Sequence, residues 1–390
     1  MVPNIPESLR LARGIFATGA FSNPFPTLDT GPSAHLSPVF PAFLALLMKV
    51  FGDGSSGIYA IKLAAVLLLS LQLALFPAYS RALGMGAVNG VIAATIWIVA
   101  KPQIVYVWEA LDAALLLAAA CCLYRRYLDS EPKRRVKLAW LLGALAGFLI
   151  LMAPTVAPIY ATWLAWAAWR RNFLVPKESL LPLALLPVLI VAPWTIRNYL
   201  VFNSFPIIRD DFGLELSVSN NFCAQFSEME NDRTGCLQRS HPYFSMDEAT
   251  KVADLGEVRY NRSKSVQAVH WIRSRPGRFV RLTAMRFVAF WMPAESFSLY
   301  YSVGRRLERI VIELMTLFSG LGLIILYRRD LKSAAILFSC LSVFPLVYYF
   351  IQFVDRYRYP IMWVTFLLGA MPITAVAQRL WKSWAVEKAS

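Results

Sequence analysis

Few side chains in this 390-residue sequence are equipped for chemistry, and most of them stand at the edges of apolar blocks. Glu7, in Pro6-Glu7-Ser8-Leu9-Arg10-Leu11-Ala12, opens an amphipathic stretch. A carboxylate there can take a proton from an attacking hydroxyl or amine; the same position equally suits an acid favoured by a helix dipole. Glu109 and Asp112 share one face at the entrance of an apolar helix, Trp108-Glu109-Ala110-Leu111-Asp112. Ionisable groups inside a span are costly and face protein or a water-filled cavity, which singles out Asp112 as the deeper of the two; a plain interfacial pair is the alternative. In Asp355-Arg356-Tyr357-Arg358-Tyr359-Pro360, Arg356 and Arg358 can grip a phosphate bidentately, and Arg197 ends an apolar block in Pro193-Trp194-Thr195-Ile196-Arg197-Asn198-Tyr199. Ordinary snorkelling arginine accounts for the same positions. His35, in Gly31-Pro32-Ser33-Ala34-His35-Leu36-Ser37-Pro38, is either a further phosphate partner or a solvated loop residue.

Other chemistries lack their residues. His35, His241 and His270 are the only histidines and have no metal-ligand spacing, so no zinc site is visible. There is no P-loop, no GxGxxG after a strand and no GxSxG elbow, which disfavours a nucleotide motor, dinucleotide chemistry and an α/β-hydrolase. A divalent metal stays open, because Glu7, Glu109 and Asp112 can offer oxygen ligands. Cys121, Cys122 and Cys340 lie in apolar blocks and read as packing. Cys223 and Cys236 lie in a polar segment placed outside the cytoplasm, with twelve residues between them, and a disulfide is expected.

The elements that position these residues are membrane helices. Hydrophobic residues make up 57% of the chain and charged residues 16%, beyond the range of ordinary soluble domains. The apolar residues form uninterrupted blocks, which suits helices of about 20 residues rather than alternating barrel strands. Candidate spans cover roughly 58–79, 87–101, 104–125, 138–152, 155–170, 179–197, 306–327, 332–352 and 360–380. The net charge of +15 flanks these spans instead of tiling one soluble domain, so nucleic acid is not an expected partner. The most basic loop, Arg125 to Lys137, belongs in the cytoplasm by the positive-inside rule, and Arg170-Arg171, Arg328-Arg329 and Lys382 fall on its side. Residues 1–57 and 198–305 then lie on the opposite, extracytoplasmic side, with the C-terminus cytoplasmic. No span precedes residues 1–57 to carry them across, and a missing first span is the expectation.

Four parts follow: an extracytoplasmic first loop with juxtamembrane helices (1–57), a transmembrane bundle (58–197), an extracytoplasmic loop with amphipathic helices (198–305), and C-terminal transmembrane helices with a cytoplasmic tail (306–390). Pro41–Phe51 is apolar but short, as in a helix lying at the interface. Asp247–Ser274 has helical character, and Pro276 opens a basic, aromatic helix through Trp291.

In this order the segments resemble the GT-C class of membrane glycosyltransferases, in particular the bacterial branch similar to dolichyl-phosphate-mannose protein mannosyltransferases and lipid A aminoarabinose transferases. The likeness rests on Glu7–Ala12 with Gly19–Phe25, His35–Pro41 with Phe51-Gly52, Pro193–Tyr199 with Arg209–Leu216 and Asn220, and Asp355–Pro360. It runs along nearly the whole chain. The family often carries an acidic pair in the first loop, whereas Pro6 and Ser8 flank Glu7 here. The resemblance implies an all-α integral membrane protein of the inner membrane, with Glu7 as general base and Asp112 near the site. It further implies inverting transfer from a polyprenyl-phosphate monosaccharide to an acceptor that is a protein, a lipid or a glycan. His35, Arg197, Arg356 and Arg358 are then the candidates for the donor phosphate. A transporter or flippase for a lipid-linked glycan, and a noncatalytic assembly subunit, are the rival readings.

Overall fold

The computed structural model describes residues 5–100, 108–169, 177–292 and 303–387. Among these the chain is helical, with no strand beyond two isolated β-bridges. Helices stand in all nine places expected of spans. Six are long and apolar enough to cross a membrane: Ser55–Ala82, Pro132–Met152, Ser179–Phe202, Leu307–Arg329, Leu331–Tyr349 and Asp355–Trp381. Ala87–Ala100 and Ala157–Trp169 are shorter, with 14 and 13 residues, and Ala110–Leu128 carries Asp112, Arg125 and Arg126 along its 19 residues. The turn expected at Lys101-Pro102 and the basic pair Arg170-Arg171 lie outside the described residues. Leu63, Leu67, Leu71 and Leu317 expose more than two-fifths of their surface, the outward apolar face of a multi-pass membrane protein.

Helices in lipid approach closely where small residues meet, because no hydrophobic force distinguishes one apolar surface from another. Gly143 of Pro132–Met152 lies against the backbone of Pro182, where a Cβ would come 2.3 Å from its carbonyl oxygen, and Gly147 lies against Pro187. Gly322 and Gly369 do the same between Val303–Arg329 and the last helix, Tyr359–Glu387. Pro187 has no N–H to offer the carbonyl of Leu183 four residues earlier, and the Tyr160 hydroxyl donates to that carbonyl at 2.8 Å instead.

The polar segments form smaller helices gathered on the bundle. Glu7–Thr18 packs Leu9 and Ala12 against Phe40, Leu44 and Met48 of Val39–Phe51. The 198–292 stretch folds into Phe212–Ser219, Glu228–Arg233, Leu237–Ser240, Met246–Leu255, Glu257–Ser274 and Pro276–Trp291. The helical region expected across Asp247–Ser274 is thus two helices, broken at Gly256, whose φ of 78° a side chain would oppose. The disulfide joins Cys223 and Cys236, as expected from their spacing. Replacing Gly143 by leucine should force Pro132–Met152 away from its partner and destabilise the protein by about 1–3 kcal/mol, the usual cost of overpacking. A lowered melting temperature in detergent, with Gly320→Leu as the unobstructed control, checks this.

Candidate active site

Glu7 is set by its helix start. Pro6 precedes it, and the backbone N–H groups of Leu9 and Arg10 both donate to the Pro6 carbonyl, closing the first turn and aiming Glu7 away from the apolar face. His35 meets it from the following loop, with Nε2 at 3.5 Å from the Glu7 carboxylate. That loop is held from several directions. A Ser22–Pro32 bridge pinches it, and the Asn23 side chain accepts from the Gly31 N–H at 2.8 Å. From far along the chain, Glu257 accepts from the Ala34 N–H at 2.6 Å and the Ser33 hydroxyl at 2.7 Å, while the Asp210 N–H donates to the Ala34 carbonyl at 2.8 Å. The imidazole therefore reaches Glu7 from a loop tied at Ser33 and Ala34.

Burial by itself would push Glu7 towards its neutral form. The hydrogen bond and charge of His35, with His241 and Arg356 adding to it, prevail and hold Glu7 at about 2. Burial likewise opposes charge on His35, but Glu7 first and then Asp211 and Glu257 raise it to about 9. The two form a buried ion pair rather than two neutral groups.

Arg356 belongs to the same gathering. Its turn, Asp355–Arg358, follows a junction sewn to the polar segment: Phe353 donates to the Phe226 carbonyl at 2.8 Å, Glu228 N–H donates back at 3.0 Å, and Asn231 donates to Gln352 at 2.7 Å. The guanidinium lies 4.0 Å over the Trp108 ring and 3.7 Å from the partly exposed carboxylate of Glu228. Its charge reaches both Glu7 and Glu215.

The other expected phosphate ligands are not brought to this point. Arg197 spends its guanidinium on the first loop, donating to the Ser33 carbonyl at 2.7 Å and the Phe21 carbonyl at 3.1 Å, and stacks 4.8 Å over Trp194. It is a strap on the loop that carries His35. Arg358 turns into the bundle, 2% exposed, donating to the carbonyls of Phe290 and Trp291 and to the hydroxyls of Thr316 and Thr365. A phosphate role does not fit a guanidinium committed to closing the C-terminal end of a helix. Nor is Asp112 linked to Glu7 by a hydrogen bond or ion pair; its charged neighbour is Glu109, which pairs with Arg209 at 3.5 Å. Among the described residues no three His, Cys, Asp or Glu side chains converge to hold a metal ion. Glu7, Glu109 and Asp112 do not form the shared ligand set that the sequence leaves open.

Several residues of the site escape sequence reasoning. Arg209 is paired with Asp211 as well as Glu109, Glu215 is raised to about 7 by burial and the charges of Asp211 and Glu7, and His241 approaches Glu215. The density of charge in Arg209-Asp210-Asp211-Phe212-Gly213-Leu214-Glu215 was the available signal, though nothing in its spacing pointed to Glu7.

No family model matches the chain, and no curated protein does. Solved structures resemble it. The crystal structure of the Archaeoglobus fulgidus oligosaccharyltransferase in the apo form matches with a TM-score of 0.56 and 15% identity, over 98% of this chain and 47% of that one. The same enzyme in complex with Zn and sulfate matches with a TM-score of 0.55 and 13% identity, over 96% and 46%. The chain spans about half the length of these structures. At such identity the likeness shows the fold alone, which is similar to that of these oligosaccharyltransferase structures over nearly the whole of this chain.

The pair sets a pH window. Glu7, depressed to about 2, supports the pair above its ordinary 4.5 and loses it as pH falls towards 2; His35, raised to about 9, supports it below its ordinary 6.5 and loses it as pH rises through 9. Protection of the loop around residues 19–38 from proteolysis should accordingly be flat between about 4.5 and 6.5 and decline from there until it is lost above about 9. His35→Gln, which cannot titrate, should remove that alkaline limb. Arg197→Ala should speed cleavage of the same loop about tenfold at every pH, since it removes a charged double donor.

Proposed function

We propose that this protein transfers a sugar from a polyprenyl-phosphate monosaccharide to an acceptor, with inversion, at the end of the bundle where Glu7 lies, and that this end is extracytoplasmic. In this reading all nine helical segments span the bilayer and the segments 1–57 and 198–305 cover the site. The observation that carries the proposal is the buried Glu7–His35 pair of the first segment, on which the charge of Arg356 acts from the far end of the chain, in an oligosaccharyltransferase-like fold. The lipid tail would lie along the exposed apolar faces, which leaves the phosphate at the level of Arg356 and Trp108. A lipid phosphate can exchange with the exposed Glu228 carboxylate for Arg356, so the cation is available without breaking the buried core.

The step balances without a further reactant. The acceptor O–H or N–H gives its proton to Glu7 while the acceptor atom bonds to the anomeric carbon from the face opposite the phosphate. The bond between that carbon and the phosphate oxygen breaks, and its electron pair leaves on the phosphate. Arg356 and the imidazolium of His35 stabilise the charge that develops there. A carboxylate held at about 2 is a weak base, so proton loss accompanies bond formation instead of preceding it. Polyprenyl phosphate and the glycosylated acceptor are the products, and no step is routed through a metal.

Glu7→Gln should lower transfer by a factor of about 10²–10⁴, the range of general-base contributions, with membrane insertion and donor binding retained. Radiolabelled polyprenyl-phosphate sugars incubated with membranes provide the assay. Full activity in Glu7→Gln, or movement of the labelled lipid across the bilayer without transfer, would sink the reading. Arg356→Ala should raise the donor Kd about tenfold or more, as expected for losing a charge-assisted contact.

A further inference from the structure

Beside Glu7 lies a second pair of groups that the transfer step leaves unused. The backbone N–H of Tyr243 donates to His241 Nδ1 at 3.0 Å, which makes that nitrogen an acceptor. Burial lowers His241 to about 4 against the opposing pull of Glu7, so the imidazole is neutral near pH 7 and its proton sits on Nε2. Nε2 faces Glu215 with 4.0 Å to Oε1, too long for a direct hydrogen bond but within reach of one oxygen seated beside both. The other carboxyl oxygen of Glu215 is buried and has no hydrogen-bond partner among the described residues. Such an atom is normally satisfied, so it marks a place where a ligand atom belongs. Phe25 walls the space, with its ring centroid 5.0 Å from that of His35 and 6.2 Å from that of His241.

Charge narrows the ligand. Glu7 is matched by His35 and Arg356 by Glu228, while His241 is neutral. Glu215, raised to about 7 chiefly by burial, carries only part of a charge near pH 7, so little negative charge is left to draw in an ammonium group. A hydroxyl suits the pair better, since its oxygen accepts one N–H and its hydrogen is given to a carboxyl oxygen.

We propose that Glu215 and His241 form the acceptor subsite and that the acceptor presents a neutral hydroxyl group. The proposal rests on the glycosyl-transfer reading and narrows it. His241 Nε2–H donates to an acceptor oxygen, a carboxyl oxygen of Glu215 takes a hydroxyl hydrogen, and the reacting hydroxyl is thereby turned towards Glu7. Both residues position the acceptor; neither forms or breaks a bond.

The test uses the full chain in detergent or membranes, a labelled polyprenyl-phosphate sugar as donor, and octyl glucoside and octylamine as competing acceptor probes. Donor binding is measured in the same samples and reports that each variant is folded. Wild type should glycosylate octyl glucoside and leave octylamine unmodified. Glu215→Gln and His241→Leu should each raise the glucoside KM about tenfold or more with the donor Kd within about twofold, the signature of lost acceptor binding. His241→Gln, which keeps an N–H donor, should restore most of that loss. Equal use of octylamine, or an unchanged glucoside KM in both Glu215→Gln and His241→Leu, overturns the acceptor subsite while leaving sugar transfer standing. A wild-type protein that neither binds nor consumes the donor overturns the transfer reading, and the subsite falls with it.

Discussion

A carboxylate buried at the end of an apolar bundle is tolerable only with a cation folded against it. Leaving one partner of such a buried pair alone costs about 3–5 kcal/mol, because the remaining charge is uncompensated. Glu7 and His35 meet that condition for each other, and Arg356 adds its field from the far end of the chain. The arrangement has little to do with net stability, since a well-packed apolar pair would serve that as well. Its consequence is a carboxylate that stays ionised and oriented in a nearly dry place, where an electrostatic contact counts for more than it would in water.

Keeping the pair together requires that two mobile kinds of structure be fixed, a loop near the N-terminus and a long polar excursion. Both are tied down by charged side chains that donate to or accept from backbone. Arg197 holds two carbonyls of the first loop, and Glu257 holds the backbone and hydroxyl just before His35. Arg286, fully buried, donates to the carbonyls of Ser219 and Phe350 and to the side chain of Asn220, joining the segment that bears Glu215 to the junction that bears Arg356. Arg358 binds the end of Pro276–Trp291 to the last helix. A guanidinium has five donors in a rigid fork, so one residue can satisfy several orphan carbonyls where helix ends meet. In a membrane protein those carbonyls have few other partners.

The opposite ends of the helices are secured in a similar way. Arg125 reaches Asp330 and Ser333, and Lys332 reaches Asp129, so basic residues at this end of the bundle link neighbouring helices. Between the two ends the contacts are those of small residues against backbone, at Gly143, Gly147, Gly322 and Gly369. Charge fixes the rims, and shape fixes the middle.

Much of this architecture was written in local sequence. Helix existence follows from apolar runs that must satisfy their own hydrogen bonds in lipid, so even the segments too short to be counted as long spans, such as Ala87–Ala100, were legible. The Cys223–Cys236 bridge followed from spacing and compartment. The eligibility of Glu7, His35 and Arg356 for chemistry was also local, since it depends on residue type and on their places beside apolar blocks. Their grouping was not, because residues 7, 35 and 356 are joined through Glu257, Asp210 and Phe353, and no periodicity encodes contacts across hundreds of residues. Arg356 and Arg358 show the division most sharply. They are two apart in one short motif and identical in type, yet the turn Asp355–Arg358 aims one at Trp108 and Glu228 and the other into the bundle. The sequence by itself determined which groups carry charge and which segments seek lipid; the tertiary structure alone decided which of those charges share one buried space, since that depends on how the chain returns to itself.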